Sequence, residues 1–240
     1  MIITDYKPVG VTCGDFIKKY KNKQLAYVGR LDPMAHGLLT ILTDEDIHQM
    51  EKFMKKNKTY RFKFIMSTNT DTDDILGIKV LDDKNEYIEI SEIINYINNF
   101  PEEYKQKYHT FSSWKPKNKN SDGKRKPIWW WTVNGHTITD IPERRVKIYN
   151  KRIVKIEKIT GADIKYMIYD KICRIDDDKF RKGEILKQWG EHEFDYLYDE
   201  FTCELNVSSG FYIRQFVKDM SDKLNVKLLV TDIERIHIED

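Results

Sequence analysis

Little in this sequence invites oxidation, chelation or a membrane. Its 240 residues include three cysteines, Cys13, Cys173 and Cys203, odd in number and far apart. They compose neither a disulfide framework nor a CxxC metal pair, which points to a reducing compartment. No apolar run reaches the roughly 18–20 residues of a membrane-spanning helix. The opening Met1-Ile2-Ile3-Thr4-Asp5 lacks the basic-then-apolar layout of a signal peptide. The expectation is a cytoplasmic protein without membrane contact. The six histidines (His36, His48, His109, His136, His192 and His237) are dispersed, and none stands at metal spacing from a cysteine. There is no phosphate-binding Walker loop, no GxGxxG, no HExxH and no GxSxG. Neither a metal nor a nucleotide cofactor is expected.

An excess of charge is also missing. Lys and Arg total 41 against 39 Asp and Glu, a net of +2. A sum that small speaks against nucleic acid as a partner, but it hides the distribution. Residues 114–126 hold six basic residues and one acid, and Trp129, Trp130 and Trp131 follow at once. Residues 1–63 hold twelve bases and seven acids, whereas 82–104 hold seven acids and one base and 176–204 ten acids and four bases. A basic loop flanked by aromatics suits phosphate contact; a solvated loop with a Lys/Asn bias is the alternative.

Apolar residues make up 40% and charged residues 33% of the chain, enough to bury one core in a chain of one-domain length. Periodicity predicts a short helix from Asp15 to Tyr20. It predicts another from Asp44, with acids in its first turn and Ile47, Met50, Phe53 and Met54 at helical spacing. Tyr60, Phe62, Phe64 and Met66 alternate with Arg61, Lys63 and Ile65, as in a half-buried strand. Ser91 would cap a helix carrying Ile93, Ile94 and Ile97. Long strands are expected over 146–159 and 166–175, on either side of a turn at Gly161. Another strand covers 201–207. A helix opened by Gly210 aligns Ile213, Phe216, Val217, Met220 and Leu224, and a last strand covers 226–238. Strands outnumber helices without alternating with them, which favours an α+β fold with a mixed or antiparallel sheet. The basic loop is the one segment that resembles an insertion.

The stretch from Val28 to Gly37 places Asp32 between two glycines and directly before Pro33. Glycine permits close approach and Pro33 fixes the chain, so such a loop can hold one carboxylate rigidly in a cleft. By local chemistry alone a plain Asp-Pro turn is the better reading.

Four segments in order extend this pattern. Lys7-Pro8-Val9-Gly10-Val11-Thr12 fits KPxGxT, and Gly29 to Gly37 fits GxLDPxAxG. Lys58-Thr59-Tyr60 with Thr70-Asp71-Thr72-Asp73-Asp74 and Gly77 fits KxY…TDTDD…G, and Ser208 to Arg214 fits SxGxYIR. Phe111 to Lys115 and Arg144 to Tyr149 also match, and the likeness spans nearly the whole chain. The sequence resembles the TruB family of RNA pseudouridine synthases, which includes the dyskerin-type enzymes.

That resemblance implies an α+β pseudouridine synthase fold, a mixed, mostly antiparallel sheet with flanking helices and a central RNA-binding cleft. It implies conversion of a uridine in structured RNA, in the bacterial branch the T-arm uridine 55 of tRNA, to pseudouridine without a cofactor. Asp32 matches the essential aspartate, as nucleophile or base at the sugar. Arg214 matches the arginine that pairs with it, and Tyr60 the tyrosine that stacks on the flipped base. Without the resemblance Arg214 reads as a surface residue and Tyr60 as a core residue. Lys7 and Pro8 would buttress the floor of the site or form a turn. Thr70–Asp74 reads as a structured loop with self-capping Asx bonds. The RNA contacts are expected from Lys7, Tyr27, Arg30, Lys58, Trp114, Lys115, Lys117, Lys119, Lys124, Arg125 and Lys126.

Two departures matter. Tyr27 stands where the family carries a histidine, and Arg30 replaces a small residue. The expectation is a single, monomeric catalytic domain over 1–240 with a basic, Trp-rich insertion around 114–131 and no C-terminal PUA domain. An RNA-binding protein or RNA chaperone that has lost turnover is the alternative, and a protein-interaction domain a third. The basic segments are expected on the face that holds Asp32 and the acidic ones away from it.

Overall fold

Alternating apolar side chains build the centre of one eight-stranded sheet. The computed structural model describes residues 1–21, 24–80, 88–175, 180–191 and 197–239. Its strands are β1 (Ile2–Lys7), β2 (Leu25–Val28), β3 (His36–Thr43), β4 (Lys58–Met66), β5 (Glu103–Lys107), β6 (Glu143–Thr160), β7 (Leu197–Val207) and β8 (Leu228–Ile238). They lie in the order β1-β3-β8-β4-β7-β6-β5, with β2 on β3. Every pairing is antiparallel except β3 with β8, a short parallel contact of His36–Gly37 with Glu234–Arg235. The fold is therefore a mixed α+β architecture with a mostly antiparallel sheet.

On β4 and β7 every second side chain turns inward. Phe64 stacks on Phe201 at 4.9 Å between ring centroids, and Phe62 meets Phe216 edge-on at 6.3 Å. Phe216 belongs to α7 (Ile213–Leu224), whose Ile213, Phe216, Val217 and Met220 are buried at i, i+3, i+4, i+7 spacing. The opposite strand faces carry ion pairs. Glu204 takes both Arg61 and Arg152, and Glu200 takes Lys63. Two of the twelve cations of residues 1–63, Arg61 and Lys63, are thus neutralised within the sheet by acids of the 176–204 stretch.

Several elements differ from the sequence-based expectations. Residues 166–175 are not a strand; α5 spans Gly161–Cys173. Thr160 and Asp163 form a reciprocal capping box at its start, and Ile164, Ile168 and Ile172, four residues apart, are buried. That helical period outweighs the short-range apolar alternation. The next helix, α6 (Lys182–Glu191), buries Ile185 and Trp189. α3 (Ile90–Asn99) begins after Glu89, so Ser91 lies inside it and does not cap it. The predicted helix from Asp44 is a 3₁₀ stretch, Asp44–Gln49, followed by one turn, α2 (Met50–Met54). The first helix, α1 (Cys13–Ile17), is capped by Thr12 and ends before Tyr20. The tryptophan run forms α4 (Ile128–Val133) with Trp131 buried, so the loop proper ends before it. Among the described residues no helix is long and apolar enough to cross a membrane.

The α5 register is testable. Ile168→Ala is expected to cost about 2–5 kcal/mol, the usual range for a truncated core side chain. Tyr166→Ala, at a position 76% exposed, should stay within about 0.5 kcal/mol. Urea unfolding midpoints of the two variants would show the contrast, and equal losses would contradict the register.

Candidate active site

Asp32 lies in the loop that joins β2 to β3, and contacts to the loop backbone hold it on both sides. The Leu31 N–H donates to Cys13 Sγ at 3.2 Å and the Leu31 carbonyl accepts from it at 3.3 Å. The Gly10 N–H donates to the Pro33 carbonyl at 2.9 Å, and the Ala35 N–H closes a turn onto the Asp32 carbonyl at 3.0 Å. Lys7 Nζ donates to the Ala35 carbonyl at 2.7 Å. From β8, Arg235 Nη1 donates to the Gly29 carbonyl at 2.8 Å and Nε to the Leu38 carbonyl at 2.5 Å. Gly37 has φ +108° and lies so close to Arg235 that a Cβ would sit 2.4 Å from its carbonyl oxygen. Only glycine fits that conformation and spacing.

The partner of Asp32 comes from 182 residues away in sequence. Arg214, in the first turn of α7, is 4% exposed. Its Nε and Nη2 approach the same oxygen, Asp32 Oδ2, at 2.9 and 2.7 Å. Nη1 donates to the Thr72 carbonyl at 3.0 Å and Nη2 to the Phe111 carbonyl at 3.2 Å. Nε also lies 3.3 Å from Asp74 Oδ2. Burial alone would pull the Arg214 pKa down. The carboxylates of Asp32 and Asp74, the hydrogen bond that Asp32 accepts and the charge of Asp73 outweigh it and hold the guanidinium above its usual range. Asp32 Oδ1 has no protein partner among the described residues.

Asp74 is buried beneath this pair. Desolvation and the nearby Asp32 charge push its carboxyl up to about 6, against the opposing pull of Arg214, the Thr72 hydroxyl and the Leu76 N–H. Thr72 Oγ1 donates to Asp74 Oδ1 at 2.7 Å and the Leu76 N–H to the same oxygen at 2.9 Å. The Ile78 N–H donates to Asp71 Oδ1 at 2.8 Å. These are the local Asx-type bonds anticipated for Thr70–Asp74. The loop is also tied to β8, through Val230 N–H to the Asp73 carbonyl and Ile75 N–H to the Val230 carbonyl.

Buried His109 continues the network. Its Nδ1 accepts from the Phe111 N–H at 3.0 Å, so Nε2 carries the proton and donates to Asp73 Oδ2 at 2.9 Å. Burial, with the Arg214 charge, lowers its pKa and keeps the ring neutral. His109 thereby fixes the backbone N–H of Phe111, the residue whose carbonyl faces Arg214.

The cleft above holds about 380 Å³. Tyr27, Arg30, Asp32, Asp74 and Arg214 line it, with Phe111, Ser113 and Trp129 from the segment containing the basic loop and Phe180 and Arg181 from the start of α6. The structure thus brings Asp32, Arg214, Tyr27 and Arg30 together as expected. Arg30 Nη2 donates to the Tyr27 hydroxyl at 2.9 Å. Trp114 stands beside the lining residue Ser113 and stacks on Tyr108 at 5.6 Å. Lys115, Lys117, Lys119 and Lys124 are exposed, Lys126 lies 5.6 Å from the Trp130 ring centre, and Arg125 closes the loop onto the carbonyls of Pro116 and Lys115.

Three expected positions differ. Lys7 and Lys58 are buried and their ammonium groups are taken by backbone carbonyls, those of Pro8 and Ala35 for Lys7 and of Met54 and Lys56 for Lys58. Burial brings both down to about 8. Lys7 braces the Asp32 loop and Lys58 the turn between α2 and β4, so both ammonium groups are already engaged inside the protein. Tyr60 is 8% exposed, its hydroxyl 3.4 Å from Arg235 Nη1, and it stands outside the residues lining the cleft.

The sequence reading missed Cys13, Asp74, His109 and Arg235 as parts of the site. Asp74 was within reach as the last acid of TDTDD. The single cysteine and the isolated histidine carry no local signal. The polarity of charge is only partly as expected, because Phe180 and Arg181 of the acidic 176–204 stretch border the cleft; 82–87, 176–179 and 192–196 of the acidic stretches lie outside the described residues.

Comparison with known proteins agrees with the geometry. Residues 18–168 match the family model for TruB family pseudouridylate synthase (N terminal domain). A tRNA pseudouridine synthase B of Ureaplasma parvum is 26% identical over 230 residues, covering 93% of this chain and 80% of the relative. The protein of that name from Clostridium perfringens is 24% identical over 239 residues, covering 98% of this chain and 65% of the relative. Among solved structures, a chain of an H/ACA RNP bound to a substrate RNA containing 2′-deoxyuridine aligns with TM-score 0.56 at 13% identity, over 99% of this chain and 47% of that one. A chain of a Cbf5-Nop10-Gar1 complex gives 0.55 at 14% identity, over 99% and 48%. The chain thus spans about half the length of those structures, and the likeness shows a shared fold.

The raised Asp74 carboxyl has a signed consequence for stability. Its native pKa of about 6 exceeds the ordinary 3.8, so the folded state binds the extra proton between those values. The associated stabilisation is full below pH 3.8 and lost as pH rises through about 6, by a few kcal/mol at most at about 1.4 kcal/mol per unit. Asp74→Asn should flatten this part of the profile when urea unfolding of both proteins is compared from pH 4 to 7. Parallel profiles would contradict it. Asp219, also raised to about 6 by burial, is present in both and cancels.

Proposed function

Because the chain belongs to the TruB family of pseudouridylate synthases, we propose that it isomerises a uridine of structured RNA, a tRNA T-arm uridine of the position-55 type, to pseudouridine. The observation that carries this reading is the half-anchored Asp32. One carboxylate oxygen is held by Arg214, and the other has no protein partner in a cleft lined by arginines and aromatic rings.

The reaction breaks the bond from sugar C1′ to base N1, turns the base and joins C1′ to C5; the proton leaving C5 is balanced by one arriving at N1. A carboxylate serves as nucleophile at C1′ or as base at the sugar only while ionised and correctly aimed. Arg214 holds one oxygen of Asp32, and the bonded loop from Gly29 to Ala35 keeps the aim. The target base must leave its stack to be turned, and Tyr27, Phe111 and Trp129 offer ring surfaces beside Asp32. The 114–126 loop, whose flanks Ser113 and Trp129 line this opening, carries exposed lysines that suit the backbone of an RNA arm. Tyr60 then contributes from behind, through Arg235 and the Gly29 carbonyl. The acting unit in this reading is a single catalytic domain working as a monomer in the cytoplasm without a cofactor.

Incubation with T-arm RNA, followed by mass-spectrometric quantification of pseudouridine, tests the proposal. The unaltered chain should give product and Asp32→Asn should lose at least about a thousandfold in rate, the scale seen when a reacting group is removed. Undiminished product from Asp32→Asn would overturn the mechanism. Salt-sensitive RNA binding with no product from the unaltered chain would favour an RNA-binding protein instead.

A further inference from the structure

β6 and β7 pair antiparallel until Thr160 meets Leu197. Strands that end side by side can be joined by a two-residue turn. Here α5 and α6, which pack on each other, stand in the sequence between them instead. A long excursion between hairpin partners calls for a physical reason.

This helical hairpin docks on the loops of the site. The Arg174 carbonyl at the end of α5 packs against Gly10, where a Cβ would come within 2.4 Å of it. Lys171 reaches the Thr231 carbonyl and Asp232 on β8. The Lys79 N–H donates to Gln188 Oε1 on α6 at 2.8 Å. Directly before α6, Arg181 enters the cleft lining. Its φ of +54° is uncommon for a residue with a side chain and is held by the surrounding contacts. Nη1 and Nη2 engage both oxygens of Asp71 at 2.6 and 3.1 Å, and Cζ lies 5.4 Å from the centre of the Phe111 ring.

The donor inventory sets Arg181 apart from Arg214. Arg214 spends Nε, Nη1 and Nη2 on Asp32, Asp74 and two carbonyls. Among the described residues Arg181 uses two of its five N–H groups, both on Asp71, and its side chain remains 21% exposed. Asp71 and Phe111 fix the guanidinium plane, and the side chain lines the same cleft as Asp32. A fixed guanidinium edge of this kind suits a phosphate.

We propose that the α5–α6 hairpin forms a substrate-gripping wall of the cleft, and that Arg181 contacts a backbone phosphate of the RNA beside the flipped uridine. This rests on the RNA-modifying reading above. Asp71 is its positioning partner, and the excursion between β6 and β7 exists to carry this contact to the catalytic loop.

The test is the salt dependence of T-arm RNA affinity, measured for the unaltered chain, Arg181→Ala, Arg181→Lys and Asp71→Asn. Arg181→Ala should weaken binding about tenfold and lower the slope of log Kd against log salt by about one, the signature of one lost phosphate contact. Arg181→Lys should keep the slope with a smaller loss of affinity, and Asp71→Asn should also keep it. An unchanged slope in Arg181→Ala, or the same lowered slope in Asp71→Asn, would overturn the proposal, since Arg181 would then act only by holding the 70–78 loop. Should Arg181→Ala fail to fold, Arg181→Gln takes its place and must show the same lowered slope; an unchanged slope there would overturn the proposal. Absence of RNA binding by the unaltered chain would instead defeat the underlying functional reading.

Discussion

A guanidinium with almost no access to water must be neutralised by its surroundings, and much of this fold converges on Arg214. The side chain meets Asp32, Asp74 and the carbonyls of Thr72 and Phe111. Those acceptors come from three separate loops, after β2, after β4 and after β5. Removing one partner of such a buried pair typically costs about 3–5 kcal/mol because the other charge is left stranded. The same arrangement that endangers stability defines function: the guanidinium anchors one oxygen of Asp32 and leaves the other to the cleft.

Charge elsewhere is organised by the same logic of local compensation. The near-zero net charge is not an even mixture. Glu200 and Glu204 neutralise Arg61 and Lys63 of β4 and Arg152 of β6 across the sheet, while Lys115, Lys117, Lys119 and Lys124 of the 114–126 loop stand exposed. Lys7 and Lys58 follow a third pattern, buried cations satisfied by carbonyls and brought down to about 8. A lysine in a motif is therefore as much a brace as a phosphate ligand, and only its surroundings distinguish the two.

Motif order made the central pair legible. Asp32 and Arg214 lie far apart in sequence, and no periodicity joins them; the ordered segments did. The sheet was legible where side chains alternate on β4 and β7. It was misread at 166–175, where the capping pair Thr160–Asp163 and the four-residue spacing of Ile164, Ile168 and Ile172 decide for a helix. Cys13, His109 and Arg235 escaped notice because their work is done through the backbone of another segment. A thiol bonded to Leu31 or a ring nitrogen accepting from Phe111 leaves no pattern in one dimension. Tyr60 shows the converse: a recognisable motif residue whose ring the fold keeps behind the cleft.

The parallel contact between β3 and β8 also orders events in time. Gly37 is locked against Arg235, and the Gly29 and Leu38 carbonyls on either side of the Asp32 loop depend on the same guanidinium. A chain emerging from the ribosome displays Asp32 together with its backbone braces Lys7, Gly10 and Cys13 among its first residues, yet the partner of its side chain, Arg214, arrives 182 residues later and Arg235 later still. During synthesis, at about 5–20 residues per second, the nascent protein therefore holds an unaimed carboxylate for many seconds. The side chain is aimed late, when α7 and β8 close onto a loop whose backbone braces are already in place.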